Sequence, residues 1–167
     1  KEQLHAKISE WIDLYGDDVL KIAYMYLRDR QKAEDAFQEV FLRVYERIGT
    51  FRGDSGEKTW LLRITINVCK DMRKNAWFKR VLTGILPEKE AADSTPEQQT
   101  LTREQNRMLW EQVLSLPPSL KDVIILYYYQ ELDTREVAHV LQIAEGTVRS
   151  RLHRARERLK IGLEGGT

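Results

Sequence analysis

Between Glu145 and Lys160 the chain carries Arg149, Arg151, Arg154, Arg156, Arg158 and Lys160 against two acids, Glu145 and Glu157. Guanidinium groups at this density suit one kind of chemistry, because their N–H forks neutralise phosphates and make bidentate contacts to guanine. On a 3.6-residue period Val148, Leu152, Ala155 and Leu159 share a stripe. Ser150, His153 and Arg154 point the opposite way, and Arg149, Arg151, Arg156 and Arg158 flank them. One face packs and the other meets an anion. Arginines on an ordinary solvated helix pair with glutamates at i,i+4. That pairing is read as missing here, so the cationic excess points to nucleic acid.

The elements that must hold these groups are legible nearby. Asp133 with Glu136 three residues later has the form of a capping box, which starts a helix at Thr134. A tight turn then leads into the arginine-rich helix, and two short helices in this arrangement are what a major-groove reader needs. Upstream, Leu109, Val113 and Leu116 form a helical stripe stopped by Pro117-Pro118. Ser119 with Asp122 is expected to cap the next helix, with an apolar face from Val123, Ile124, Leu126 and Tyr127. This half is therefore read as four helices.

A second basic stretch lies in the first half, where Lys58, Arg63, Lys70, Arg73, Lys74, Lys79 and Arg80 face only Asp71. The formal net charge of +1 conceals this segregation, and local charge is the clue to a polyanionic partner. The stretch follows a polar loop, Phe51-Arg52-Gly53-Asp54-Ser55-Gly56, and Trp60, Ile64, Val68 and Met72 open the helix that carries it. A glycine-containing loop permits close backbone approach, and a base can be read on its Watson–Crick edge only after leaving the stack. Trp60 lies in phase with Ile64 and Val68 and is assigned to the core.

Two amphipathic helices precede the loop, one marked by Val19, Ile22, Ala23, Tyr26 and Leu27. The other is marked by Ala33, Ala36, Phe37, Val40, Phe41, Val44, Tyr45 and Ile48. Nothing reads as a strand. From Pro87 through Thr102 the chain turns to Glu, Asp, Ser, Thr, Gln and Pro, which cannot repay ordering entropy and implies a flexible linker. The expected organisation is all-α, with a helical bundle at 1–80, a linker at 81–103 and a second helical domain at 104–167.

A single cysteine, Cys69, excludes an intrachain disulfide and is read as a small buried side chain. His5, His139 and His153 lack metal-ligand spacing, so no metal or other cofactor is expected. No nucleotide-binding glycine loop and no nucleophile beside a base is present, and an enzyme is not expected. No apolar run approaches a membrane span and no signal peptide is visible, which favours the cytoplasm.

Several strings taken together resemble a known family. They are Ala33-Glu34-Asp35-Ala36-Phe37-Gln38-Glu39-Val40-Phe41, Phe51-Arg52-Gly53-Asp54-Ser55, Thr59-Trp60-Leu61-Leu62-Arg63-Ile64 with Asn67, Leu116-Pro117, and Gly146 through Arg156. In order and spacing the chain from about Leu14 to about Lys160 resembles the extracytoplasmic-function sigma factors of bacteria. The resemblance implies a region 2 domain and a region 4 helix-turn-helix domain on a linker, binding core RNA polymerase and directing it to promoter DNA. It implies that Asp35, Gln38 and Glu39 touch the polymerase clamp helices. It further implies that Phe51, Arg52, Gly53, Asp54, Ser55 and Lys58 hold a flipped base of the -10 element, and that Asn67 helps to read it along the cations Arg63, Lys70, Arg73 and Lys74. Arg149, Ser150, Arg151, His153, Arg154 and Arg156 would face the -35 element.

By the same resemblance an anti-sigma factor, often membrane-anchored, is an expected partner, and the free protein is expected to be a monomer. The chain departs from the family pattern at Gln142, where glycine commonly ends a helix, and at Ala144, where proline or serine is usual. A left-handed Gln142 would cost about 1 kcal/mol relative to glycine. The rival reading is a conventional helix-turn-helix regulator that binds its operator and gives the first domain no DNA role.

Overall fold

Trp11 and Gly16 lie in helical phase with the stripe that starts at Val19, so the first helix extends well before the apolar run that marks it. The computed structural model describes the backbone of residues 1–83 and 101–164 and the side chains of residues 1–75 and 107–160. In it α1 spans Glu2–Leu27 and buries Trp11, Gly16, Val19, Ile22, Ala23 and Tyr26. Arg28 ends the helix in the left-handed region, at φ 53°. Asp29 then caps the next helix by accepting the Lys32 N–H at 3.1 Å, so α2 (Arg30–Arg47) begins at once. The two helices approach closely at Gly16, where a Cβ would lie 3.4 Å from the Phe37 ring.

A turn of 3-10 helix over Ile48–Thr50 and the loop that follows lead to α3, Glu57–Thr83. Leu61, Leu62, Ile64, Ile66, Val68 and Cys69 of α3 close the core against Ala33, Ala36, Val40 and Val44 of α2 and the α1 face. Each large side chain so buried contributes roughly 1.5–3 kcal/mol. Thr65 is fully buried as well, and its hydroxyl donates to the Leu61 carbonyl at 2.8 Å. Tyr45, which the periodicity assigned to the α2 stripe, is exposed and stacks on His5.

The second unit consists of α4 (Leu101–Ser115), α5 (Pro118–Ile124), α6 (Thr134–Leu141) and α7 (Glu145–Glu164), with a π-helical turn at Ile125–Tyr129. The expected Ser119 cap does not form. Pro117 is the N-cap without a side-chain bond, Pro118 takes the first helical position, and Asp122 is buried. Proline at that position has its φ preset and lacks an N–H that would otherwise be orphaned. In the π turn the Gln130 N–H reaches back five residues to the Ile125 carbonyl, 3.1 Å away. The added residue turns Tyr128 and Tyr129 outward while Ile125 and Leu126 stay buried.

The chain divides into two compact units, Lys1–Ala92 and Asp93–Thr167. Every element among the described residues is helical. Of the expected linker at 81–103, residues 84–100 lie outside the described residues, while α3 runs on to Thr83 and α4 starts at Leu101.

Candidate nucleic-acid interface

The two helices α6 and α7 are joined through their caps. Asp133 accepts the Glu136 N–H at 2.8 Å and Glu136 accepts the Asp133 N–H at 3.2 Å, completing the capping box read from the sequence. At the other end Gln142 adopts φ 56°, ψ 46°, and the Ile143 N–H donates to the Ala138 carbonyl at 3.1 Å. A left-handed residue followed by this longer bond satisfies the last carbonyls of a helix. Gln142 thus does the work of glycine at a cost of about 1 kcal/mol.

Val148, Leu152 and Ala155 of α7 are buried, whereas Arg149, Ser150, His153 and Arg154 are exposed and Arg151 is half-buried. The charge pattern differs from the sequence expectation in two respects. Arg149 is paired, its guanidinium donating to Glu145 at 2.8 Å. The i,i+4 spacing of these two residues was visible in the sequence and is a strong local signal. Arg156 is engaged elsewhere: its Nε–H donates to the Tyr128 hydroxyl at 2.6 Å and its guanidinium covers the Tyr127 and Tyr128 rings. Together with Lys160 it borders an apolar groove of about 580 Å³ lined by Leu109, Val113, Ile124 and Leu159. Arg156 is nonetheless exposed, and the other residues expected at a duplex, Arg149, Ser150, Arg151, His153 and Arg154, take no part in this contact.

In the first unit Arg63, Asn67, Lys70 and Lys74 follow one another at four- and three-residue spacing on α3, away from buried Ile64, Val68 and Cys69. Asn67, Lys70, Arg73 and Lys74 are exposed and Arg63 is half-buried. Asp71, the acid within this stretch, is held by Arg43 of α2 at 3.2 Å. Its charge is offset from the neighbouring helix, which leaves the α3 surface more cationic than the residue count suggests.

The loop before α3 is built on its first residue. Phe51 packs against Trp11 and Trp60 with ring centres 5.8 and 5.3 Å away, and Lys7 lies over both the Trp11 and Phe51 rings. Trp60, assigned to the core, is half-buried within this cluster. Phe51 therefore anchors the loop with its ring, and Arg52, Gly53, Asp54 and Gly56 are exposed. Gly53 has φ 79°, a conformation that favours glycine. Lys58 lies in the first turn of α3 rather than in the loop and is paired with Asp18 at 3.7 Å. Beside it the Tyr15 hydroxyl donates to Glu57 at 3.4 Å. Burial first, then the Glu57 carboxylate, pushes the Tyr15 phenol above its usual range.

On α2, Asp35 and Gln38 are exposed and Glu39 is half-buried. Asp35 accepts from Gln31 at 3.2 Å within its own helix. Glu39 accepts from Arg43 at 3.1 Å, and the same guanidinium continues to Asp71, joining α2 to α3. This link escaped the sequence reading because partners 28 residues apart share no periodic signal. Cys69 is fully buried, and burial pushes its thiol up to about 12. Among the described residues no helix is long and apolar enough to cross a membrane.

Residues 11–79 match the family model of sigma-70 region 2, and residues 106–159 match that of sigma-70 region 4. The chain is 32% identical over 158 residues to the ECF RNA polymerase sigma factor SigW of Bacillus subtilis, covering 89% of this chain and 84% of that protein. It is 32% identical over 161 residues to the RNA polymerase sigma-H factor of Pseudomonas aeruginosa, with 90% and 82% covered. In fold it is similar to the sigma factor RpoE of Bartonella quintana, solved with the anti-sigma factor NepR, at TM-score 0.76 and 23% identity over 95% of this chain and 97% of that one.

Proposed function

The chain belongs to the extracytoplasmic-function sigma factors of bacterial RNA polymerase, and from that premise we propose how its surfaces divide the work of initiation. As a sigma factor it is a DNA-binding regulator that directs core polymerase to promoters, not an enzyme. The exposed α2 residues Asp35 and Gln38 meet the polymerase, and Glu39 acts partly through Arg43. Arg149, Ser150, Arg151, His153 and Arg154 of α7 read the -35 element as duplex. The Arg52 to Ser55 loop, with Asn67 and the cations of α3, captures the -10 element as a melted strand.

The observation that carries this division is the presence of an exposed cationic helix face in each unit, built on separate cores. One such face suits a major groove and the other, beside a glycine-containing loop, suits a displaced strand. The conventional-regulator reading leaves the basic face of α3 without use, and the region 2 match at residues 11–79 supports the sigma-factor reading over it. Regulation by an anti-sigma factor, and action in the cytoplasm, belong to the same proposal. A protein of this fold, the sigma factor RpoE, has been solved in complex with the anti-sigma factor NepR.

Run-off transcription with purified core polymerase on genomic fragments tests the proposal. Initiation at a defined set of promoters is the expected result, and initiation no higher than core polymerase alone on every fragment would overturn it.

A further inference from the structure

We infer that Glu145 is a positioning residue for duplex reading: it fixes the Arg149 guanidinium against the first turn of α6. The inference rests on the assignment of α7 to the -35 element. One carboxylate oxygen of Glu145 accepts two hydrogen bonds, from the Thr134 hydroxyl at 2.9 Å and from Arg149 at 2.8 Å. Thr134 is the first residue of α6 and Glu145 the first of α7, so the bond ties the starts of both helices. Thr134 directly follows Asp133, which forms the capping box with Glu136. A chain of hydrogen bonds thus runs from the first residue of α6 through Glu145 to an arginine whose side chain is 67% exposed.

An acid at a helix N-terminus is favourable to the helix dipole, and this alone would account for a glutamate at that position. It does not account for the Thr134 bond, nor for an anion placed beside a face that must approach phosphates. A carboxylate there repels the nucleic-acid backbone, so its contribution is not general affinity. It lies in order: a free arginine loses rotamer freedom on binding, and one already held loses less. The guanidinium has five N–H groups, and the bond to Glu145 uses one terminal nitrogen. The remaining edge is free for a guanine O6 and N7.

The experiment uses the reconstituted holoenzyme and a promoter series with single base-pair changes across the -35 element. Arg149→Ala first identifies the base pair whose discrimination depends on that residue. Glu145→Gln and Thr134→Val should each lower discrimination at that pair, and at no other, by about threefold to tenfold. Glu145→Gln should also tighten binding to unrelated duplex, since one negative charge is removed. In the Arg149→Ala background neither substitution should lower discrimination further. A merely structural role would instead lower the melting temperature and weaken all promoters alike. Undiminished discrimination in Glu145→Gln, equal losses at every position, or no base pair that depends on Arg149 would each overturn the inference. A wild-type holoenzyme indifferent to every -35 change would instead overturn the assignment of α7.

Discussion

Arg156 donates its Nε–H to the Tyr128 hydroxyl at 2.6 Å, and its guanidinium carbon lies 5.5 Å from the centre of the same ring. The bond joins α7 to the π-helical turn, and it turns an arginine of the cationic cluster toward the apolar groove. Arg154, two residues earlier and on the other side of the helix, is exposed, and its guanidinium donates to Ser150 at 3.3 Å.

The two arginines should therefore separate in solution. Arg156→Ala is expected to lower the stability of the second unit by about 0.5–1.5 kcal/mol, the range for a lost hydrogen bond with some cation–π contact. The salt dependence of duplex binding should not change. Arg154→Ala should do the reverse, leaving stability nearly intact and costing about 1–3 kcal/mol of discrimination if the contact is to a base. Denaturant titration and binding across a salt series measure both. A salt slope reduced by about one in Arg156→Ala would mean that this residue meets a phosphate after all.

Cys69 provides a test of the first core. With its thiol pushed up to about 12 by burial, thiolate is scarce at pH 8, roughly one part in ten thousand. Alkylation by iodoacetamide should be negligible in the native protein and rapid in denaturant. Because the folded value is raised, the contribution of Cys69 to stability is full below the unfolded pKa near 9 and is lost as pH rises toward 12. Cys69→Ala should flatten that alkaline decline while lowering stability at neutral pH through the cavity it leaves. Rapid native-state labelling at pH 8 would contradict the burial.

The polymerase-facing proposal predicts a variant that is folded yet uncoupled. Asp35 and Gln38 are exposed, and Asp35 accepts a hydrogen bond from Gln31 one turn away in its own helix. Replacing both with alanine should leave the melting temperature within about a degree or two, as expected for surface substitutions. Core polymerase should bind several-fold more weakly. Glu39→Ala should in addition loosen the first unit slightly, since it removes one of the two acids that hold Arg43. Unchanged polymerase affinity in the Asp35 and Gln38 double variant would show this face to be solvated surface.

What was legible in the sequence was whatever is local. The capping box at Asp133 and the start of α6 at Thr134 follow from residue types within one turn of each other and have their expected geometry, whereas a left-handed Gln142 was suggested only by the family pattern that places glycine there. The packed stripe of α7 followed from periodicity in the same way, and the basic stretch of α3 from its local excess of cations. The π turn at Ile125–Tyr129 was not legible, because an apolar run with five-residue bonding looks like ordinary buried helix. Nor could spacing show that Arg43 spans Glu39 and Asp71, that Phe51 would be fixed between two tryptophans, or that Arg156 would be captured by Tyr128. Those arrangements depend on how helices cross. In the Ser119 case a local rule was overridden by a stronger one, proline at the first helical position.

The last prediction separates base reading from phosphate tracking in the first unit. Asn67 is neutral and exposed among cations of α3, one turn beyond Arg63, so its amide is suited to a base edge and contributes nothing to counterion release. Arg73 and Lys74 are exposed farther along the helix and are suited to the backbone of a displaced strand. Asn67→Ala should blunt discrimination at the -10 element with little change in salt slope. Neutralising Arg73 and Lys74 to glutamine should lower the slope for single-stranded DNA by roughly 0.7 per lost contact and slow open-complex formation on every promoter. Neither change touches the buried α3 residues Leu61, Val68 and Cys69, so melting temperature serves as the control. Permanganate footprinting reports the melted strand and a salt series reports the slope. Normal melting and normal -10 selectivity in both variants would remove the α3 surface from the DNA path and leave its cations without a role in initiation.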